Sequence, residues 1–225
     1  MKFKKLIGTD LVVSEICLGT MTFGEQNTQA DAFAQLDKAT KEYGINFIDT
    51  AESYPVPSAP TTSGESERII GKWLKKNKRE DVIISTNICG HSDQIVWCRD
   101  EGQGTRINRK QVIAAVDAQL KRLGTDYIDL LQFHWPDRYV PLYGAPEYHT
   151  DMERPDTIPI REQLEIISDL GICLSLSLYH HHHHHHSLFP SFPLLHTHSL
   201  SLSHTHALSL SVYTLKYFLS EIRKN

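Results

Sequence analysis

Apolar residues along the first 170 positions follow two rhythms in alternation. Short β-branched or apolar runs at Ile16–Leu18, Asn46–Asp49, Val82–Thr86 and Ile128–Gln132 have the length and composition of strands buried in a parallel sheet. Between them the spacing turns helical. Phe33, Leu36 and Tyr43 mark one face of a segment starting near Thr28, Ile69, Ile70, Trp73 and Leu74 mark a second, and Val112, Val116, Leu120 and Leu123 a third. Asn108 with Gln111 three residues on resembles a capping box, and Leu123-Gly124 gives that third helix a glycine stop. A fourth helix is expected from near Ile160, with Ile160, Leu164 and Ile167 on one side. Ahead of these units, Lys2–Lys5 and Leu11–Val13 flank a Gly8-Thr9-Asp10 turn signal and read as a small hairpin, placed to plug the bottom of a barrel. Repeated strand–helix units with right-handed crossovers imply a parallel α/β sheet; periodicity leaves an open doubly wound sheet and a closed barrel both standing.

The pattern breaks near Gly171. From Gly171 to Val212 there is no Asp, Glu, Lys or Arg, and eleven of the fourteen histidines lie beyond Tyr179. Leu174-Ser175-Leu176-Ser177-Leu178 and Leu208-Ser209-Leu210-Ser211 alternate as amphipathic strands would. A CT dinucleotide repeat read in frame also gives Leu-Ser-Leu-Ser, and a CA repeat gives the His-Thr-His seen at His196–His198 and His204–His206. Two regions are therefore expected: a folded unit over 1–170 and a disordered low-complexity tail over 171–225, of the kind translated non-coding sequence produces. Clustered imidazoles at His180–His186 carry the competing reading, transition-metal binding.

Charge excludes more than it suggests. Twenty-three basic and 27 acidic residues leave a net −4 with no cationic field, so neither nucleic acid nor an anionic membrane is indicated, and a small molecule is the expected partner. No stretch approaches the roughly 20 apolar residues that span a bilayer, and the N-terminus lacks the apolar core and cleavage site of a secretory signal. Cys17, Cys89, Cys98 and Cys173 have neither metal-ligand spacing nor disulfide-scaffold density and read as reduced thiols of a cytoplasmic protein.

Two segments carry chemistry. Phe47-Ile48-Asp49-Thr50-Ala51-Glu52-Ser53-Tyr54 runs off the second strand into a loop, and Leu131-Gln132-Phe133-His134-Trp135-Pro136 runs off the fourth. Asp49, Tyr54 and His134 thus converge on the carboxyl edge of the sheet, where α/β folds place their sites. Trp97 and Trp135 are candidate pocket walls, though Trp is more often simply packed. Gly102-Gln103-Gly104 has neither the spacing nor the strand context of a phosphate-binding loop.

FIDTAESY, the LGTMTFG stretch at Leu18–Gly24, the GESERIIGKWL helix and RLGTDYIDLLQFHWPDR at Arg122–Arg138 together resemble the aldo-keto reductases, in particular their Tas-like subgroup. The resemblance implies a (β/α)8 TIM-type barrel, an NADP(H) cofactor and reduction of aldehydes or ketones to alcohols. It ends near Asp169-Leu170, where the family continues into a fifth strand, so a half-barrel of about four units with exposed apolar faces is expected. By the family's motifs the catalytic positions are Asp49, Tyr54 and His134, with Gly19, Thr20 and Met21 under the nicotinamide and Asp49 shared with the cofactor site. A phenol's ordinary pKa is about 10, and the family's catalytic lysine, paired with the Asp, tunes it. Here Ile84-Ser85-Thr86-Asn87 puts Asn87 at that position, so impaired or absent turnover is expected. The competing functions are a non-catalytic subunit that binds or regulates full-length reductases and a His-rich metal binder.

Overall fold

The computed structural model describes residues 1–141 and 147–170, and in addition the backbone of 175–179 and 209–213. Strands β1 (Phe3–Lys5) and β2 (Val12–Ser14) form the expected antiparallel hairpin, with Lys4 opposite Val13. Asn46 ties it to the main sheet, accepting from the Ser14 amide at 2.7 Å and donating to the Val12 carbonyl at 2.9 Å. Leu11 and Val13 pack on Phe47 and Ile83, the first residues of two parallel strands, so the hairpin covers the amino end of the sheet.

That sheet contains β3 (Cys17–Gly19), β4 (Phe47–Ala51), β5 (Ile83–Ile88) and β6 (Leu130–Phe133), all parallel and in sequential order. Sequential order settles the choice that periodicity left open, because a doubly wound sheet reverses its strand order at a switch point and this one does not. Helices α1 (Gln29–Asp37), α2 (Glu65–Leu74), α3 (Arg109–Leu123) and α4 (Ile160–Asp169) contribute to one apolar core with the same face of the sheet. This is the (β/α)8-barrel arrangement, represented by four strand–helix units.

Register fixes the two faces. Leu18, Ile48 and Ile84 stand in one row facing the helices, where Leu36, Ile69, Ile70, Val116 and Leu120 complete the core. The opposite, concave face carries Gly19, Asp49 and Ser85 in one row and Ala51, Asn87 and Gln132 in the next. Period-two alternation produces this division, with Thr50 and Thr86 as polar residues on the helix side that bond Ser66 and Glu67.

Two local details depart from the sequence reading. Tyr43 is 57% exposed rather than part of the α1 face, because a π-helical segment, Lys38–Glu42, follows α1 and shifts the helical phase before Tyr43 is reached. The expected capping box of α3 forms one arm: Asn108 accepts from the Gln111 amide at 2.9 Å, while the Gln111 side chain accepts from Arg99 and from the Arg106 amide. Gly124 does end α3, in the left-handed region at φ 65°.

The Leu-Ser alternations correspond to strands β7 (Ser175–Tyr179) and β8 (Ser209–Tyr213), paired antiparallel with Ser177 opposite Ser211. The His180–His186 run and the rest of the expected disordered tail lie outside the described residues. Among the described residues no helix is long and apolar enough to cross a membrane, and no group of three metal-ligating side chains converges.

Candidate active site

Asp49 leaves the middle of β4 on the concave face and is held by neutral groups. The Asn87 amide nitrogen donates to Asp49 Oδ1 at 3.1 Å and to the Thr50 carbonyl at 2.7 Å, which uses both of its protons. Burial pushes the Asp49 carboxyl above the usual carboxylate range, opposed only by hydrogen bonds from Ser85 and Asn87. Asn87 is itself buried and brings hydrogen bonds but no charge.

Beyond β4 the chain turns sharply, the Tyr54 amide bonding the Ala51 carbonyl at 3.2 Å and the Gly64 amide returning to the Tyr54 carbonyl at 2.9 Å. This turn brings the Tyr54 ring edge-on to His134, with centroids 5.6 Å apart and planes at 77°. His134 follows β6, and its amide donates to the Ile88 carbonyl at 2.8 Å. Burial lowers the pKa of its imidazole, partly offset by the Glu52 charge. Buried Nδ1 has no hydrogen-bond partner among the described residues. A proton on Nε2 would leave only an unpaired acceptor at Nδ1, less costly than an orphaned N–H.

The residues expected under a nicotinamide divide. Gly19 lies in register with Asp49 on the concave face, and a Cβ added there would meet nothing within 4 Å. Thr20 is buried with its hydroxyl on the Asp49 carbonyl at 2.9 Å and near Ser66 Oγ at 2.7 Å, whereas Met21 is 47% exposed. Trp135 stacks tilted against His134 at 5.2 Å and donates to the His91 carbonyl at 2.8 Å; Trp97 donates to Ser58 at 3.0 Å. Gly90 permits the loops after β5 and β6 to touch, since a Cβ there would lie 2.1 Å from the Trp135 carbonyl oxygen.

Sequence reasoning missed the support beneath the site. Glu52, two residues before Tyr54, is buried and accepts from Arg99 Nη1 at 2.6 Å, Arg99 Nη2 at 3.0 Å and the Cys89 amide at 2.7 Å. Arg99 also donates to Gln111 at 3.0 Å, connecting the site to the start of α3. Glu52 and Arg99 are 47 positions apart with no periodic signal joining them.

The Aldo/keto reductase family model matches residues 15–178. The chain belongs to that family. "Protein tas" of Escherichia coli is 45% identical over 153 residues, 66% of this chain and 42% of that protein, which makes the chain Tas-like. "Norsolorinic acid reductase B" of Aspergillus parasiticus is 37% identical over 142 residues, 58% of this chain and 34% of the relative. Among solved structures, the holo form of aldo-keto reductase AKR11C1 from Bacillus halodurans superposes with a TM-score of 0.53 at 32% identity, covering 76% of this chain and 46% of that one. The chain spans less than half the length of each of these aldo/keto reductase relatives.

Proposed function

We propose that the carboxyl edge of β3–β6 serves NADP(H)-dependent reduction of aldehydes or ketones to alcohols, with proton donation weakened by Asn87. The observation that carries this reading is the edge-on approach of Tyr54 to a neutral, buried His134, on the same side of an oxidoreductase family fold as the Asp49–Asn87 pair. Bound NADPH would supply the hydride that reaches the carbonyl carbon. His134 orients and polarises the carbonyl oxygen through Nε2–H, and Tyr54 gives its phenolic proton to that oxygen. Asp49 fixes Asn87 in place.

The cofactor fits in one respect open to test. Gly19 offers backbone without a side chain beside Asp49, with room for a flat ring; Thr20 holds that backbone to β4, and Met21 stands at its rim. The proton step is the weak one. A lysine at position 87 would pair with Asp49 and pull the phenol's pKa toward neutrality, whereas an amide exerts no such field, so turnover is about 10²–10⁴-fold slower than with a cation there. The partner is a small carbonyl compound, with no nucleic acid or membrane, in the cytoplasm.

Asn87 also favours a second reading, a non-catalytic subunit that associates with full-length reductases. Size-exclusion chromatography of the chain mixed with a full-length Tas-like reductase distinguishes it: a mixed complex supports the subunit, and separate elution removes it.

NADPH fluorescence titration of the purified chain tests the main reading. Saturable binding in the micromolar range is expected, weakened at least tenfold in Gly19→Leu, a variant whose added Cβ meets nothing in the fold. No binding by the folded wild type, or equal binding by Gly19→Leu, overturns it.

A further inference from the structure

One pair of nucleophilic side chains takes no part in carbonyl chemistry. Cys89 is fully buried just after β5, and Cys98, nine positions further on, is half-buried in the loop that leads to α3. The Cys98 side chain packs against the buried cluster that contains Cys89. Both pack in one small cluster with Ile95, Trp97 and Trp135, separate from the main core. Cys98 Sγ lies 3.4 Å from Ser63 Oγ, and its carbonyl accepts from Arg99 Nη1 at 2.8 Å. The Cys89 amide is anchored on Glu52, so the pair sits directly against the carboxylate–guanidinium support of the site.

We propose that Cys89 and Cys98 form a reversible redox-modification site, closing to a disulfide when the chain meets a peroxide. Their chemistry is unequal, as such a site requires. The Cys89 thiol lowers the Cys98 pKa, against burial and the Glu52 charge, with help from Ser63 and Arg99. The Cys98 thiol, burial and Glu52 raise Cys89. Cys98, the more accessible of the two, is therefore the attacking thiolate and Cys89 the resolving thiol.

The thiolate of Cys98 attacks one oxygen of hydrogen peroxide; the O–O bond breaks, and the departing hydroxide takes a proton and leaves as water. Cys98 is then a sulfenic acid. Cys89 loses its proton, its sulfur bonds to Cys98, and the S–O bond breaks, with hydroxide and that proton leaving as a second water. Two thiols are oxidised and one peroxide is reduced to two waters. Side chains packed in one cluster reach the S–S length of about 2 Å by a local shift of the loop that carries Cys98. The disulfide draws the Cys98–Arg99 segment toward β5, beside the support of His134.

The test uses the full chain, reduced and then exposed to a small excess of hydrogen peroxide. Two of its four thiols should disappear, a non-reducing digest should show Cys89 and Cys98 peptides linked, and dithiothreitol should restore all four. Cys98→Ser should abolish the linkage, and Cys17→Ser should leave it intact. Four surviving thiols, oxidation of Cys98 to sulfinic acid with Cys89 still free, or linkage to Cys17 or to another molecule overturns the proposal. If Cys98→Ser does not fold, the wild-type and Cys17→Ser digests still decide.

Discussion

Two carboxylates lie on opposite faces of the same sheet, Glu67 buried and Asp49 half-buried, and their partners differ in charge. On the helix side, Glu67 of α2 is fully buried and accepts from Arg122 Nε at 2.5 Å and from Thr86 Oγ1 at 2.7 Å, while Gln119 bonds Thr86 at 3.0 Å. On the concave side, Asp49 has Ser85 and Asn87 and, among the described residues, no cation as a partner. Glu67 is compensated by charge, as a carboxylate locking two helices to a sheet must be. Asp49 is compensated by neutral dipoles, and its pKa rises accordingly. The contrast separates a structural ion pair from a site that the family pattern expects to contain a cation.

Breaking the first cluster should have the largest effect. Arg122→Ala leaves Glu67 buried without a counter-ion and should cost about 3–5 kcal/mol in urea denaturation followed by circular dichroism. A loss below 1 kcal/mol would show that the pair contributes little.

Next, Asn87→Lys should convert the second cluster into the likeness of the first. With a raised folded-state pKa, wild-type Asp49 favours folding below its unfolded pKa, and that contribution is lost as pH rises through the folded value. A lysine at 87 reverses the sign: the carboxyl falls below its unfolded value, and the contribution is present at neutral pH and lost on acidification. Carbon-13 NMR of Asp49 in both proteins checks the crossing, and an unchanged titration contradicts it.

A smaller effect belongs to Glu52→Gln. Removing the charge that partly offsets burial should lower the His134 pKa further, keeping the ring neutral to more acidic pH in proton NMR. A rise would mean that Glu52 does not act on the ring. Smallest of all, Lys5→Ala removes an ion pair with Asp10 that is exposed on both sides and should leave the urea midpoint unchanged.

What the sequence made legible follows from periodicity. Ile48 and Ile84 reveal their strands because burial imposes an apolar pattern, and Asp49, Tyr54 and His134 stand out because strand ends are where polar residues interrupt it. The partners of those residues are not periodic. Arg99 reaches Glu52, and Arg122 reaches Glu67, across 47 and 55 positions by folding alone. The π segment at Lys38–Glu42 has no Gly or Pro to announce it, so helical spacing puts Tyr43 on the wrong side. Gln111 appeared as a capping residue because the cap geometry is local, while its bond to Arg99 is not.

The most direct test of the central claim, that Asn87 denies the Tyr54 site its cation, is the rate of NADPH oxidation with a simple aldehyde, compared between the wild type and Asn87→Lys. The account predicts a rate at least about 10²-fold higher for Asn87→Lys. Equal or slower oxidation by a folded Asn87→Lys protein would contradict it.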